Sequence, residues 1–165
     1  MLNSNVEAAM NDQLQKELQS AYVYLAMSAW AESQSYPGIA QWLRSQWEEE
    51  LAHGMKFYTF IVDRGSSVQF KTLDAPTGDY KSPLDIFETA LKHEQAVTQS
   101  INKLYELVAN EKDFASQAWL DWFATEQVEE EKSVGQIVDD LKRIGDDGNG
   151  LFVLDRDLGS RTSGE

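Results

Sequence analysis

The sequence predicts an all-α protein, a four-helix bundle with a long crossover between its second and third helices and a short fifth helix at the C-terminus. Three observations carry this expectation. Pro37, Pro76 and Pro83 are the only prolines in 165 residues, so long stretches are free of the residue that breaks helices. Four of those stretches repeat apolar residues at spacings of three and four, the pattern of a helix with one core-facing side. The links between them run short, long, short, and short links favour antiparallel neighbours.

Each element has its own start and stop signals. The first helix starts at Ser4, where Ser4 and Glu7 have capping-box spacing, and ends before Pro37. The second starts near Pro37, a proline suited to a first turn, and stops at Gly65. Ser82 and Pro83 supply a cap and a first-turn proline for the third, which runs to about Asn110. The fourth starts near Asp113 and ends at Gly145. After a turn at Gly148-Asn149-Gly150, the apolar stretch from Leu151 to Leu158 is a short helix. A lone chain would gain from burying Leu151, Phe152, Val153 and Leu154, which points to a subunit contact. Residues 1–165 thus read as one domain, with a bundle over about 4–145 and a C-terminal helix over about 150–158. Between Gly65 and Ser82 lie 16 residues rich in turn formers. Extended at about 3.3 Å each they reach roughly 50 Å. A helix of about 28 residues is about 42 Å long. This segment can therefore cross the whole bundle and leave helices two and three parallel.

Composition narrows the function. With 14 basic and 28 acidic residues the net charge is −14, a field that repels nucleic acid and anionic membranes and attracts cations. Cysteine is absent, which excludes disulfides, thiolate nucleophiles, iron–sulfur clusters and cysteine-zinc sites. No stretch approaches a membrane span, and Met1 to Asn5 lack a secretory pattern. A cytoplasmic protein without nucleic-acid or membrane partners is expected.

The core-facing stripes carry the chemistry. They read Met10, Leu14, Glu17, Ala21, Tyr24, Ser28 on helix one and Ile39, Leu43, Gln46, Glu50, His53, Phe57, Phe60 on helix two. Helix three offers Leu84, Phe87, Leu91, Glu94, Thr98, Ile101. Helix four offers Leu120, Phe123, Gln127, Glu130, Val134, Ile137, Leu141. Each stripe is apolar at its ends and acidic near its middle, so Glu17, Glu50, Glu94 and Glu130 would meet in one layer. Buried carboxylates without partners are costly and take up protons instead. Four of them with His53, and no basic residue on the stripes, call for bound cations. A single such glutamate would more often face water. A mostly hard-oxygen set with one nitrogen suits iron or manganese. Two ions are favoured over one, because Glu50 can bridge a pair roughly 3.5–4 Å apart.

At these residues the chain resembles the non-haem ferritins of bacteria and archaea, over nearly its whole length. The resemblance rests on Gln15-Lys16-Glu17-Leu18, Glu48-Glu49-Glu50-Leu51-Ala52-His53, Lys92-His93-Glu94-Gln95, and Glu126-Gln127-Val128-Glu129-Glu130-Glu131-Lys132. It implies that Glu17, Glu50 and His53 hold a first iron. Glu50, Glu94 and Glu130 would hold a second, with Gln127 close by. Glu49, Glu126 and Glu129, sharing Glu130, match a third iron site. It also implies a homo-oligomeric shell of twenty-four subunits, oxidation of Fe(II) by dioxygen and storage as a ferric mineral. The alternative is a non-catalytic metal buffer or structural shell of the same bundle. Where haem-binding bacterioferritin has its methionine this chain has Leu51, so no haem is expected. The second Glu-x-x-His motif of bacterioferritin reads Gln127-x-x-Glu130 here.

Several residues admit two readings. Tyr24 matches the family tyrosine near the irons, a possible electron donor, and equally reads as a core tyrosine bonded to a glutamate. Trp122 falls near the third-site acids and reads as a donor or as packing. His93 lies about 100° around the helix from Glu94 and is not counted as a ligand. Asp146, Asp147, Asp155 and Asp157 are further acids available to an iron route. The third-site acids themselves read as a metal site or as a solvated edge.

Overall fold

The structure is a computed structural model that describes residues 1–160. Five helices follow in order: α1 Ser4–Ser33, α2 Pro37–Asp63, α3 Pro83–Asn110, α4 Phe114–Ile144 and α5 Gly148–Leu158. No strand occurs among the described residues.

The caps agree with the sequence at three starts and differ at one. Ser82 Oγ accepts from Asp85 N ahead of Pro83, and the Asp113 side chain accepts from Ser116 N. Pro37 occupies the first turn of α2. At α1, however, the cap is Asn3, whose Oδ1 accepts from Val6 N at 2.9 Å. Ser4 is already helical, because an asparagine one position earlier satisfies the first free amide and moves the boundary back. At the end of α4, Gly145 takes φ 58° and ψ −128°, a conformation open to glycine and strained for other residues. The short turn before α4 bends at Lys112, φ 56°.

The crossover runs the length of α1. Ser66 Oγ accepts from Leu2 N at one end, and the Tyr80 ring packs edge-on to Trp30, 6.1 Å away, at the other. Between them Asn11, Gln15 and Gln19, spaced by four on one face of α1, bond the backbone of Ser67, Gln69, Thr72 and Asp74. The chain therefore re-enters the bundle at the end where α2 began, and α2 and α3 run parallel as expected.

Two apolar clusters fill the bundle. One joins Tyr24, Met27, Ile39, Leu43, Phe87 and Val134. The other joins Met10, Leu14, Phe57, Ile101, Leu120 and Phe123. The expected stripes of α1 and α4 are buried throughout, and that of α2 as far as Phe57. On α3 the expected Leu84, Leu91 and Thr98 are only half-buried. The buried face is instead Ile86, Phe87, Ala90, Glu94, Val97, Ile101 and Leu104. Spacings of three and four fit both neighbouring stripes, and only packing chooses between them.

Helix α5 folds back onto its own chain. Leu151, Leu154 and Leu158 pack against the first cluster, while Phe152 and Val153 stay 64% and 57% exposed. Asp155, a candidate for an iron route by sequence, is instead buried, and its Oδ1 accepts from Ile39 N at 2.9 Å. It thus caps the start of α2. Asp147 likewise caps α5 through Asn149 N.

Candidate metal centre

Between the two apolar clusters lies a polar layer. Glu17, Glu50, His53, Glu94, Gln127 and Glu130 are all buried, the most exposed being Glu130 at 6%. Each comes from the middle of its helix, so one residue type at one depth on four helices produces the layer. Glu17, Glu50 and His53 each offer a donor atom, and the three atoms lie within 4.8 Å of one another. His53, Glu126 and Glu130 form a second such group. His53 stands between them. Its Nδ1 is 3.6 Å from Glu50 Oε2 and its Nε2 3.9 Å from Glu126 Oε1. Phe123 and Trp122 hold the ring edge-on, with centroids 5.9 Å and 5.4 Å away.

Amides and hydroxyls orient the acids. Gln13 Nε2 donates to Glu17 Oε1 at 2.8 Å, and Gln46 Nε2 donates to Glu130 Oε2 at 2.8 Å. Tyr24 Oη donates to Glu94 Oε1, and Gln127 Nε2 approaches Glu94 Oε2 at 3.3 Å. Glu50 Oε2 is buried and has no hydrogen-bond partner. If ionised, an oxygen buried in this state is expensive, and a cation is a partner that the donor set around it suits.

Burial dominates the electrostatics. It pushes Glu17 up, against the hydrogen bond from Gln13. Glu50 is held well above the ordinary carboxylate range by burial and then by Glu94, Glu17 and Glu130. Burial raises Glu94 to about 7, opposed by the bonds from Tyr24 and Gln127. Glu130 rises to about 8 through burial and the charges of Glu94 and Glu49. His53 falls to about 4 through burial and Lys56, and so is neutral with a lone pair to offer. Tyr24 is raised well above its ordinary value by burial and by the carboxylates around it. The layer cannot be fully ionised without positive charge from outside.

The acids expected at a third site are only partly gathered. Glu126 and Glu49 both act electrostatically on Glu130. Glu129 points away, 62% exposed in its side chain, with Lys132 Nζ 3.4 Å from its Oε2. Trp122 is 39% exposed, with Lys56 Nζ 4.1 Å over its ring. His93 bonds Ser20 Oγ at 2.7 Å through Nε2 and lies in neither donor group.

Comparison with known proteins agrees with this architecture. The family profile described as "Ferritin-like domain" matches residues 7–144. The chain belongs to the ferritin family. It is 41% identical over 165 residues to a bacterial non-heme ferritin of Staphylococcus aureus, covering 100% of this chain and 99% of the relative. To a probable bacterial non-heme ferritin-like protein of Haemophilus influenzae it is 39% identical over 160 residues, covering 97% of each. Among solved structures, an open-pore ferritin of Archaeoglobus fulgidus superposes with a TM-score of 0.97 at 40% identity, covering 98% of this chain and 100% of that one. A form of that ferritin engineered to be closed superposes equally well, TM-score 0.97.

Two residues of this ferritin layer had no role from the sequence, Gln13 and Gln46. Each precedes an acid of the layer, Glu17 or Glu50, by four positions on the same face. That spacing was the available signal. An amide one turn before a buried acid is placed to orient carboxylates in the layer.

Proposed function

We propose that this ferritin chain is a ferroxidase subunit and an iron store. One observation carries the reading: four carboxylates and a neutral imidazole converge in a buried layer that, among the described residues, holds no cationic side chain of its own. Fe(II) is the substrate that supplies the positive charge. In this reading Glu17, Glu50 and His53 hold one iron, and Glu50, Glu94 and Glu130 hold a second beside Gln127. Each ion gives up one electron to dioxygen. Neutral His53 offers a lone pair at physiological pH, and the amides of Gln13, Gln46 and Gln127 keep the carboxylates aimed inward. Tyr24, bonded to Glu94, either donates an electron or only orients that carboxylate.

Glu49, Glu126 and Glu129 would hold a third ion with Glu130. Glu129 joins by exchanging Lys132 for the ion, which costs little because an exposed ion pair is worth about 0–1 kcal/mol. No haem is part of this reading, since Leu51 brings no sulfur to the position that would need one. Residues 1–165 act as one domain of a homo-oligomeric cage of twenty-four subunits in the cytoplasm. Exposed Phe70, Phe114, Val128 and Phe152 support assembly. No helix among the described residues is long and apolar enough to cross a membrane.

The rival is a metal buffer or structural shell that binds Fe(II) without oxidising it. Loading Fe(II) anaerobically, then admitting oxygen and following absorbance, separates the two. A fast rise of ferric absorbance supports the ferroxidase. Bound Fe(II) that oxidises no faster than free Fe(II) supports the rival.

A further inference from the structure

A surface groove between α1 and α3 has Asp12, Gln13, Lys16, Ser100 and Lys103 in its lining. From it three hydrogen bonds run in line toward the acidic layer. The Lys16 ammonium donates to Ser100 Oγ. Ser100 Oγ donates to Gln13 Oε1 at 2.5 Å. Gln13 Nε2 donates to Glu17 Oε1 at 2.8 Å. Lys16 at the outer end is exposed, whereas Gln13 and Glu17 at the inner end are each 1% exposed.

The direction of this line is chemically forced. An ammonium has donors and no acceptor, so Ser100 receives from Lys16 and its single proton must go to the other side. Gln13 then presents its carbonyl oxygen to Ser100 and its NH2 group to Glu17. The opposite amide orientation has nearly the same shape. It would leave the hydroxyl of Ser100 without its acceptor and, when Glu17 is ionised, set a carbonyl oxygen against its carboxylate. A surface charge thus selects the orientation of a buried amide. Three donors aligned one way also polarise one another, which strengthens the last bond.

We propose that Gln13 is a positioning residue for Glu17, and that Lys16, acting through Ser100, holds Gln13 in the orientation that does this work. The inference rests on Glu17 holding a cation, as read above. With Oε1 accepting from Gln13, the other oxygen of Glu17 would be the one free to meet the ion. An ion ligand whose second oxygen is fixed in this way loses less freedom on binding than a free carboxylate.

The test is a Co(II) titration of the assembled protein, by calorimetry and by the visible absorption of bound Co(II), which reports coordination geometry independently of turnover. Gln13→Leu is expected to weaken the Glu17 site by about 10- to 100-fold and to alter the Co(II) spectrum. Lys16→Met is the sharper variant. Lys16 also favours the ionised form of Glu17, so the titration is run at a pH where Glu17 is already ionised; there, removing a positive charge next to it should, by Coulomb's law, tighten cation binding. The hydrogen-bond line requires the opposite, a loss of about three- to tenfold, with Lys16→Arg near the parent. Parent-like or tighter binding by Lys16→Met overturns the proposal, as does parent-like binding by a folded Gln13→Leu. Should Gln13→Leu fail to fold, the exposed Lys16 variants decide alone. A Glu17→Ala protein that binds Co(II) like the parent, or a parent that binds none, overturns instead the reading of Glu17 as a ligand.

Discussion

Glu50 is the residue on which most of the site converges. Its Oε2 lacks a hydrogen-bond partner, its Oε2 is 3.6 Å from His53 Nδ1, and three other carboxylates bear on it. Loss of a residue that merely orients a ligand commonly costs 10–100-fold, so loss of a carboxylate proposed to be shared by both ions should cost more than about 100-fold. Glu50→Ala is therefore expected to remove fast Fe(II) oxidation, and His53→Ala chiefly to weaken the first ion. Stopped-flow absorbance after oxygen admission measures both, and parent rates in either variant would discard the paired-ion assignment. Glu129→Ala should behave differently. With its side chain in water beside Lys132, its loss should spare the first oxidation and change the irons bound per chain or the recovery of the centre for a second round. If iron count, oxygen stoichiometry and recovery all match the parent, Glu129 is surface charge only.

At the scale of elements, two junctions hold the helices in register. Arg64 at the end of α2 pairs with both oxygens of Asp113, at 3.1 Å and 3.0 Å, and reaches Ser116 Oγ at 2.9 Å. Asp113 also caps α4. Asp113→Ala removes a cap and a two-point ion pair together, for a loss of about 1–3 kcal/mol in chemical or thermal unfolding. The second junction joins α5 to α2. A methyl group on Gly38 would lie 1.6 Å from Asp155 O, a backbone atom. Gly38→Ala must displace α5, and with it the Asp155 cap on Ile39. We expect a destabilisation of about 1–3 kcal/mol and faster proteolysis within residues 148–158. Equal proteolysis of variant and parent would mean that α5 is not held in this way.

For the whole molecule, the acidic layer makes stability depend on pH in an uncommon direction. Glu94 rises from 4.5 to about 7 and Glu130 from 4.5 to about 8. Folded protein therefore binds more protons than unfolded protein across those windows, and stability falls as pH rises through them. His53, lowered from 6.5 to about 4, acts oppositely, but only below pH 6.5. Metal-free protein should thus unfold at a lower temperature at pH 8 than at pH 6.5. A bound cation replaces the protons, so stabilisation by Mn(II) or Co(II) should grow over the same interval. Thermal scans with and without chelator measure both trends, and a metal-free midpoint that rises with pH would contradict the burial of these acids. Assembly belongs to this scale as well. Mass measurement at micromolar concentration should find a large closed particle, and a monomer would remove the cage from the reading.

The helices, their order and the acidic layer they share were legible in the residue pattern alone. Periodicity and punctuation are local, and four acids at one depth on four apolar stripes remain visible without coordinates. The pattern left open whatever depends on which face meets which neighbour. Leu84 and Leu91 fit the pattern of α3 as well as Ile86 and Ala90, and only packing of α3 against its neighbours settled the phase. Asp155 looked like any surface acid until α5 folded back on the start of α2, 116 positions away. Gln13 had no visible role until α3 brought Ser100 to its amide, 87 positions away. In each case the partner is distant along the chain. A side chain's local pattern says that it is polar and on a given face, and only the tertiary fold says what stands opposite.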